Sequence, residues 1–212
     1  MTRLIDLGLE KLTNMILDMS ELAVDAVFKS LNSYQKKGSM SSKEVLHISE
    51  QLRLLKEETS GLAIEILARY QPLASDLRFI KSCIDIAYDL SRFGRYAFDI
   101  SEIAEWLGDL SNCDFKDMIN FGYKAVNMIQ KSIRAFRTKD SELAKTLPSD
   151  DTVIDHKYKD VILSLRNDKN ISRECILAIS LLMRHIERIA DHACYIADSV
   201  VYVVEGEKFG LH

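Results

Sequence analysis

Carboxylates at helical spacing stand out near the carboxyl end of the chain, within residues 181–198. Glu187, Asp191 and Asp198 lie at positions i, i+4 and i+11. On a helix that turns by roughly 100° per residue, they fall within about 40° of one another. Acidic groups held together at the edge of an apolar face repel each other, and a cation or a basic partner relieves that repulsion. The spacing therefore predicts a place where a cation or a basic group binds.

The composition indicates which elements hold these side chains. The chain of 212 residues contains two prolines and eight glycines, and 47% of its residues are hydrophobic. Few helix breakers and plentiful Leu, Ile, Ala, Glu and Lys favour an all-helical protein. The formal charge of −4 gives no general attraction to nucleic acid, and the sequence contains no basic arm, so nucleic-acid binding is not expected.

The cysteines and the apolar runs bear on the cellular compartment. Cys83, Cys113, Cys175 and Cys194 form no Cys-x-x-Cys pair and stand mostly among apolar helical neighbours. A reduced cysteine in such surroundings behaves as a small hydrophobic residue, so we expect reduced cysteines and a cytoplasmic protein. Charges interrupt the amino-terminal residues, and the longest apolar run is too short for a membrane span. Membrane association is expected only indirectly, through a protein partner.

Apolar residues recur at helical spacing along almost the whole chain, and breaks divide it into segments. The main interior break, residues 108–114, separates a first half (1–110) from a second half (111–212). Helices of this length bury their apolar faces most simply in a bundle. The sequence therefore predicts an all-α fold of six long helices, near residues 3–36, 42–70, 75–107, 114–138, 149–166 and 172–204.

The two halves resemble each other at an offset of 96 residues, with residues 90–102 aligned to residues 186–198. Identities are limited to one arginine, one alanine and one isoleucine. Small residues nevertheless match at Gly94 and Ala190. The alignment suggests an internal duplication.

Two longer motifs give the chain a family resemblance. Residues 187–193 (ERIADHA), with the later runs 196–198 (IAD) and 202–207 (YVVEGE), resemble the second signature of the PhoU family of phosphate-signalling regulators. Residues 67–80 (LARYQPLASDLRFI) resemble that family's first-half signature. The two matches lie more than 100 residues apart and come in the expected order, so the resemblance covers nearly the whole chain. The resemblance implies tandem three-helix bundles built from six long antiparallel helices, one bundle in each half.

The resemblance also implies metal-binding carboxylates from an acid pair on the third helix of each bundle and from acids on its second helix. The second half keeps both sets, because residues 151–155 (DTVID) carry two further acids at i and i+4. If the last two helices pack antiparallel, Asp155 faces Glu187 and Asp191. We therefore expect at most one metal cluster, in the second half, holding a divalent or trivalent ion such as Mg²⁺, Mn²⁺, iron or zinc. Its candidate ligands are Asp151, Asp155, Glu187, Asp191, His192 and Asp198.

Salt bridges are the alternative for these acids, with Lys159 close to Asp155 and with Arg184 and Arg188 close to Glu187. In the first half, Ser91 and Arg95 occupy the positions of the acid pair, and Arg53 stands where the family usually has an acid. An arginine stays protonated and cannot ligate a cation, so the first-half metal site is expected to be lost. Both arginines then either bind an anion or a partner, or pair with Glu50, Asp99 or Glu102.

Asp76 and Arg78, in the first signature, have two interpretations. In the structural one, Asp76 caps the third helix and Arg78 pairs with a neighbouring acid. In the terms of the family, the two residues belong to a partner-binding surface.

The resemblance implies a cytoplasmic regulator that represses phosphate-starvation signalling and restrains phosphate uptake. Its partners would be the ATPase of a phosphate transporter or a phosphate sensor kinase, and the protein would form a homodimer. The sequence shows no nucleophile–base pair, glycine-rich phosphate loop or cofactor motif, so we do not expect an enzyme.

Two alternatives stay open. The first is a carboxylate-bridged metal-binding bundle with a redox or storage role, but such bundles use Glu-x-x-His pairs, and Ala190 stands three residues after Glu187. The second is an accessory subunit of another phosphate or ion carrier, which the lost first-half site leaves open.

Overall fold

The computed structural model describes residues 3–34, 42–207 and 210, and this part of the chain is built from helices joined by short loops. The six long helices confirm the predicted all-α fold, and their ends lie within four residues of the predicted ones. Residues 35 and 36, predicted to belong to the first helix, lie outside the described residues. The helices are α1 (Leu4–Asn32), α2 (Ser42–Tyr70), α3 (Ala74–Leu107), α4 (Lys116–Thr138), α5 (Ser141–Ala144), α6 (Leu147–Asn167) and α7 (Arg173–Glu205).

The single-turn helix α5 is the element that the sequence did not predict. Helix α4 ends at Thr138 because Lys139 takes a left-handed conformation, with φ of 53°. The side chain of Asp140 then accepts a hydrogen bond of 2.8 Å from the amide of Leu143 and caps the new turn. Pro148 does not break the chain, since it stands in the first turn of α6, where a proline lacks no needed amide.

The long helices form two groups of three that share one core. Helices α1, α2 and α3 pack together in the first half, and α4, α6 and α7 pack together in the second. Short connections of three and five residues, before α3 and before α7, make the flanking helices antiparallel neighbours. Helix α3 also packs along α7, and α1 against α4, so that the buried apolar side chains form one continuous cluster. Helix α7 is therefore held between α3 and α6.

Gly94 permits the closest approach of α2 to α3. A Cβ atom at this position would lie 2.6 Å from Cδ1 of Leu52 and 3.1 Å from the backbone Cα of Ser49. The aligned residue of the second half, Ala190, carries a side chain and is fully buried. The lack of a side chain at position 94 therefore allows α2 and α3 to pack this closely.

A disulfide joins Cys113, in the loop before α4, to Cys175, in the first turn of α7, with their Cα atoms 5.4 Å apart. The expectation of four reduced cysteines is wrong for this pair. Sequence spacing could not reveal it, because the two residues are 62 positions apart and are brought together only by the packing of the helices between them. The expectation holds for Cys83 and Cys194, which are unpaired and buried.

Among the described residues, no helix combines the length and the apolar character that crossing a membrane requires.

Candidate functional site

An acidic cluster lies between α6 and α7, where the antiparallel packing brings carboxylates of the two helices together. Asp151 and Asp155 are one turn apart on α6 and face Asp191 on α7. One oxygen from each of the three carboxylates lies within 4.8 Å of the other two. The predicted convergence of these acids is therefore present, and we call Asp151, Asp155, Glu187 and Asp191 the acidic cluster.

Glu187 stands one turn before Asp191 and is held in place by Arg184. The guanidinium of Arg184 lies 2.5 Å from Oε1 of Glu187, so the predicted salt bridge forms at this residue. Oε2 of Glu187 and Oδ1 of Asp151 are both buried and have no hydrogen-bond partner among the described residues. A buried carboxylate oxygen without a partner is costly, so a cation or a hydrogen-bond donor beside these two oxygens would be stabilising.

Burial and repulsion shift the protonation of these acids. Burial, reinforced by the charges of Asp155, Asp191 and Glu187, raises the pKa of Asp151 from 3.8 to about 7. Burial and the charge of Asp191 also raise the pKa of Glu187, although Arg184 partly opposes that rise. At neutral pH the cluster thus holds carboxylates that ionise reluctantly, and a bound cation would favour their ionised form.

The donor set fits a hard cation. Every side chain of the acidic cluster offers carboxylate oxygens, which Mg²⁺, Mn²⁺ and ferric ions prefer. The two buried oxygens without partners, on Asp151 and Glu187, are the observation that favours such a ligand over a set of surface salt bridges. Asp155 contributes a carboxylate oxygen to the acidic cluster, and no salt bridge from it to Lys159 is present among the described residues.

His192, the one nitrogen donor among the six predicted ligands, points away from the acidic cluster. Its Nδ1 lies 2.8 Å from Oδ1 of Asp89, and its Nε2 lies 3.1 Å from the hydroxyl of Tyr96. The same hydroxyl accepts a hydrogen bond of 3.0 Å from Arg92. Both ring nitrogens of His192 are therefore engaged with α3, and the residue joins the two halves.

Asp198 also lies outside the acidic cluster. It lines a separate cavity between α3 and α7 with Lys81, Asp85 and Tyr88, and its Oδ1 accepts a hydrogen bond of 3.2 Å from the amide of Gly210. The helical wheel placed Asp198 near Asp191, but it ignores the rise along the axis. Seven residues add roughly 10 Å at 1.5 Å per residue, which is too far to share an ion.

The equivalent face of the first half contains arginines, and these pair with acids on their own helices. Nε of Arg53 lies 3.0 Å from Oε2 of Glu50, and Nη2 of Arg95 lies 2.8 Å from Oδ1 of Asp99. Ser91 donates its hydroxyl to a backbone carbonyl of the same helix. The salt-bridge alternative from the sequence is the one observed for these residues.

Asp76 and Arg78 do not take the structural roles predicted for them. Asp76 is a residue of α3 rather than its cap, since α3 begins at Ala74 and its N-cap, Leu73, makes no side-chain hydrogen bond. The buried carboxylate of Asp76 instead pairs with Arg3, at 2.8 Å. Arg78 forms no ion pair with a described acid, and its buried Nε has no hydrogen-bond partner there. Its guanidinium instead faces Gly206, where an added Cβ atom would lie 3.7 Å from Cζ of Arg78.

Tyr96 and His192 are aligned residues of the two halves, 96 positions apart, and they touch each other. Tyr96 thus contacts the residue that is aligned with it in the other half. Two aligned residues touch each other when both lie on the local two-fold axis that relates α3 to α7. The neighbouring contacts follow the same symmetry. The offset of 96 residues aligns Asp89 with His185, so the contact of Asp89 with His192 corresponds to the contact between the rings of His185 and Tyr96, 6.0 Å apart. The structure thus supports the duplication inferred from the alignment.

Sequence reasoning missed the partners that orient these residues. Asp89, Tyr96 and Arg92 lie about a hundred positions before His192, and only the repeat alignment of Tyr96 with His192 signals their proximity. Arg3, the partner of Asp76, had no signal in the sequence.

Comparison with known proteins identifies the family of this chain. The family model described as PhoU domain matches residues 16–104 and residues 119–200, one range in each half. The chain is similar to proteins named phosphate-specific transport system accessory protein PhoU homolog. For Pseudomonas putida the identity is 30% over 205 residues, covering 93% of this chain and 79% of the relative. For Aquifex aeolicus the identity is 31% over 205 residues, covering 94% and 92%.

Two solved structures have the same fold as this chain. PhoU from Pseudomonas aeruginosa matches with a TM-score of 0.87 at 29% identity, covering 95% of this chain and 99% of that one. The phosphate transport system regulatory protein PhoU from Streptococcus pneumoniae has a TM-score of 0.89 at 21% identity, covering 96% and 98%, and shows a likeness of fold. These matches confirm the resemblance found in the two sequence motifs.

Proposed function

Because this chain belongs to the PhoU family, we propose that it is an accessory regulator of phosphate transport that acts by binding other proteins. The observation that carries the proposal is the family match along both halves, with relatives named for the phosphate-specific transport system. A bundle of long helices offers extended surfaces for partners, which suits a regulator that works by contact.

The proposal also specifies whether phosphate uptake is restrained or promoted, and which proteins are contacted. The protein restrains phosphate uptake and represses phosphate-starvation signalling by contacting a phosphate transporter ATPase, a phosphate sensor kinase, or both. It acts in the cytoplasm, as a homodimer, and not as an enzyme. The sequence motifs at residues 67–80 and 187–207 support this reading through their resemblance to the family.

The acidic cluster supplies the second part of the proposal. Asp151, Asp155, Glu187 and Asp191 would hold one cation of the hard class, such as Mg²⁺, Mn²⁺ or an iron ion. When bound, the ion would neutralise the repulsion among the carboxylates and fix the α6–α7 surface in one arrangement. Arg184 would orient Glu187 by holding Oε1, which leaves Oε2 for the ion.

Affinity capture from native cells grown in high and in low phosphate tests the proposal. The baits are the full chain, the variant with Glu187→Ala and Asp191→Ala, and a control with Ser91→Ala and Arg95→Ala at the aligned positions of the first half. Captured proteins are identified by mass spectrometry.

We expect the full chain and the control to recover a transporter ATPase or a sensor kinase in amounts that change with phosphate, and the acid variant to recover less. Equal recovery by all three baits would reject the role of the cluster alone. Absence of both partners in both media would reject the regulator proposal, and clean protein with bound iron would favour the storage or redox alternative.

A further inference from the structure

The Cys113–Cys175 disulfide connects two parts of the molecule with different roles. Cys113 belongs to the linker, residues 108–115, which joins the first half to the second. Cys175 belongs to the first turn of α7, the helix that carries Glu187 and Asp191. One covalent bond thus ties the connection between the halves to the helix that bears half of the acidic cluster.

Most of the other bonds of the linker are local. Asp109 accepts a hydrogen bond of 2.9 Å from the amide of Ser111, and the amide of Cys113 donates to the carbonyl of Leu110 at 3.0 Å. Asp114 accepts from the first amide of α4 at 3.0 Å. These bonds shape the turns of the linker, and the side chains of Leu110 and Cys113 pack, partly buried, against the core. Phe115, at the end of the linker, packs its ring 4.8 Å from that of Tyr34.

The two sulfur atoms have unequal surroundings. Cys113 is only partly buried in its loop, whereas Cys175 is 4% exposed and belongs to the amino-terminal turn of a 33-residue helix. An incoming thiolate therefore reaches Sγ of Cys113 more easily. Sγ of Cys175 is the better leaving group, because the positive end of the helix dipole favours a thiolate there.

We propose that Cys113–Cys175 is a thiol–disulfide exchange site, which dithiols reduce in the folded protein and which thereby releases the linker from α7. A thiolate of the dithiol attacks Sγ of Cys113, the bond to Sγ of Cys175 breaks, and the electron pair stays on Cys175. The second thiol of the dithiol then attacks the mixed disulfide and releases Cys113. Two protons pass from the dithiol to the two cysteines, the protein disulfide is reduced by two electrons, and the dithiol is oxidised to a cyclic disulfide.

The two unpaired cysteines provide an internal control for this site. Cys83 and Cys194 are fully buried, and burial raises the pKa of both thiols above the ordinary range. They therefore do not react with an alkylating reagent while the protein stays folded. Labelling of Cys83 or Cys194 reports unfolding, and labelling of Cys113 and Cys175 alone reports local exchange.

The experiment follows wild-type protein in increasing dithiothreitol, with alkylation by iodoacetamide at timed intervals and peptide mass spectrometry. We expect Cys113 and Cys175 to become labelled at a rate proportional to the dithiothreitol concentration, before Cys83 and Cys194. Labelling of all four cysteines together, at a rate independent of the dithiothreitol concentration, would overturn the proposal. That result would mean that the disulfide opens only when the whole protein unfolds.

Hydrogen exchange measures the release itself. Reduction should increase amide exchange in residues 108–115 at least tenfold while leaving residues 181–198 unchanged. Glu187, the first acid of the cluster on α7, lies twelve residues after Cys175, roughly 18 Å along the helix. The variant with Cys113→Ser and Cys175→Ser should show the fast exchange without reductant and no response to it. Unchanged exchange of the linker after complete reduction would equally overturn the proposal, and the outcome is independent of the phosphate-related function.

Discussion

The second half of the molecule gathers four acids on α6 and α7, whereas the corresponding face of the first half, on α2 and α3, has arginines and a serine. Glu187 and Asp191 correspond to Ser91 and Arg95 at the offset of 96 residues. The first-half residues are satisfied by neighbours on their own helices, whereas the second-half acids leave two buried oxygens without partners. The contrast between the halves supports the proposed cation site in the second half.

The halves also differ in how their second and third helices meet. Gly94 lets α2 approach α3 closely, while Ala190 occupies the aligned position on α7. A side chain at position 94 would meet Leu52 and Ser49, whereas the methyl group of Ala190 is accommodated within the core.

Removing the acid pair should have the largest effect. In the variant with Glu187→Ala and Asp191→Ala, we expect Mn²⁺ affinity to fall by roughly 100-fold or more, because even outer partners of a metal site change affinity 10- to 100-fold. Helicity should stay the same, since neither side chain belongs to the continuous apolar core. Calorimetric titration with Mn²⁺ and circular dichroism measure the two quantities.

The matched control for the acid pair changes Ser91 and Arg95 to alanine and should bind Mn²⁺ like the wild type. Unchanged Mn²⁺ affinity in the acid variant would refute the assignment of the site and remove the difference between the halves.

Asp151→Asn should remove a pH dependence that belongs to the second half alone. In the metal-free protein, the pKa of Asp151 is about 7 when folded and near 4 when unfolded, so the folded state binds the extra proton between these values. The contribution of Asp151 to the free energy of unfolding is therefore largest below pH 4 and falls as the pH rises to 7. Above pH 7 the variant should be more stable by about 1–2 kcal/mol, less than the full pKa shift implies, because water at the open side screens the charges.

Urea unfolding at pH 4.5 and 7.5 in the presence of a chelator measures this pH dependence. Asp150→Asn is the control, because Asp150 pairs with Lys131 at 2.5 Å outside the cluster. The interpretation fails if wild type and Asp151→Asn lose equal stability between the two pH values.

Gly94→Ala should destabilise the first half by about 1 kcal/mol. The added Cβ would contact Ser49 and the buried Leu52, a strain that costs roughly 1–3 kcal/mol, and the better helix propensity of alanine returns about 1 kcal/mol. Ala190→Gly, at the aligned position, should cost about 1–2 kcal/mol, because it loses helix propensity and a buried methyl group. Denaturant unfolding of both variants tests the comparison, and a stabilised Gly94→Ala variant would show that α2 and α3 separate easily.

The smallest effect is expected for Arg53→Ala and Arg95→Ala. Their side chains are more than half exposed and pair with acids on the same helix, so each change should cost less than about 0.5 kcal/mol. Thermal unfolding at low and high salt measures the loss. A loss above about 1 kcal/mol would mean that this face is held by more than local salt bridges.

The sequence predicts the parts of this structure that depend on local rules. Apolar periodicity and the breaks place the six long helices, and the short connection before α7 makes Asp155 face Asp191. It fails where partners are distant along the chain. His192 pairs with Asp89, 103 positions earlier, Asp76 pairs with Arg3, and Cys113 bonds to Cys175 only because the folded bundle brings them together. The helical spacing gives the angular position of Asp198 but not its distance along α7, and that distance removes it from the acidic cluster.

The contact between Tyr96 and His192 has a consequence for how the halves can differ. In an assembly of two identical subunits, a residue on the symmetry axis meets its own copy and must be complementary to itself. In this covalent chain the two copies are separate residues, and they form a heterotypic pair in which one hydroxyl meets one imidazole nitrogen. The same independence allows an acidic cluster in one half alone, whereas a symmetric pair of half-length chains would carry two clusters or none.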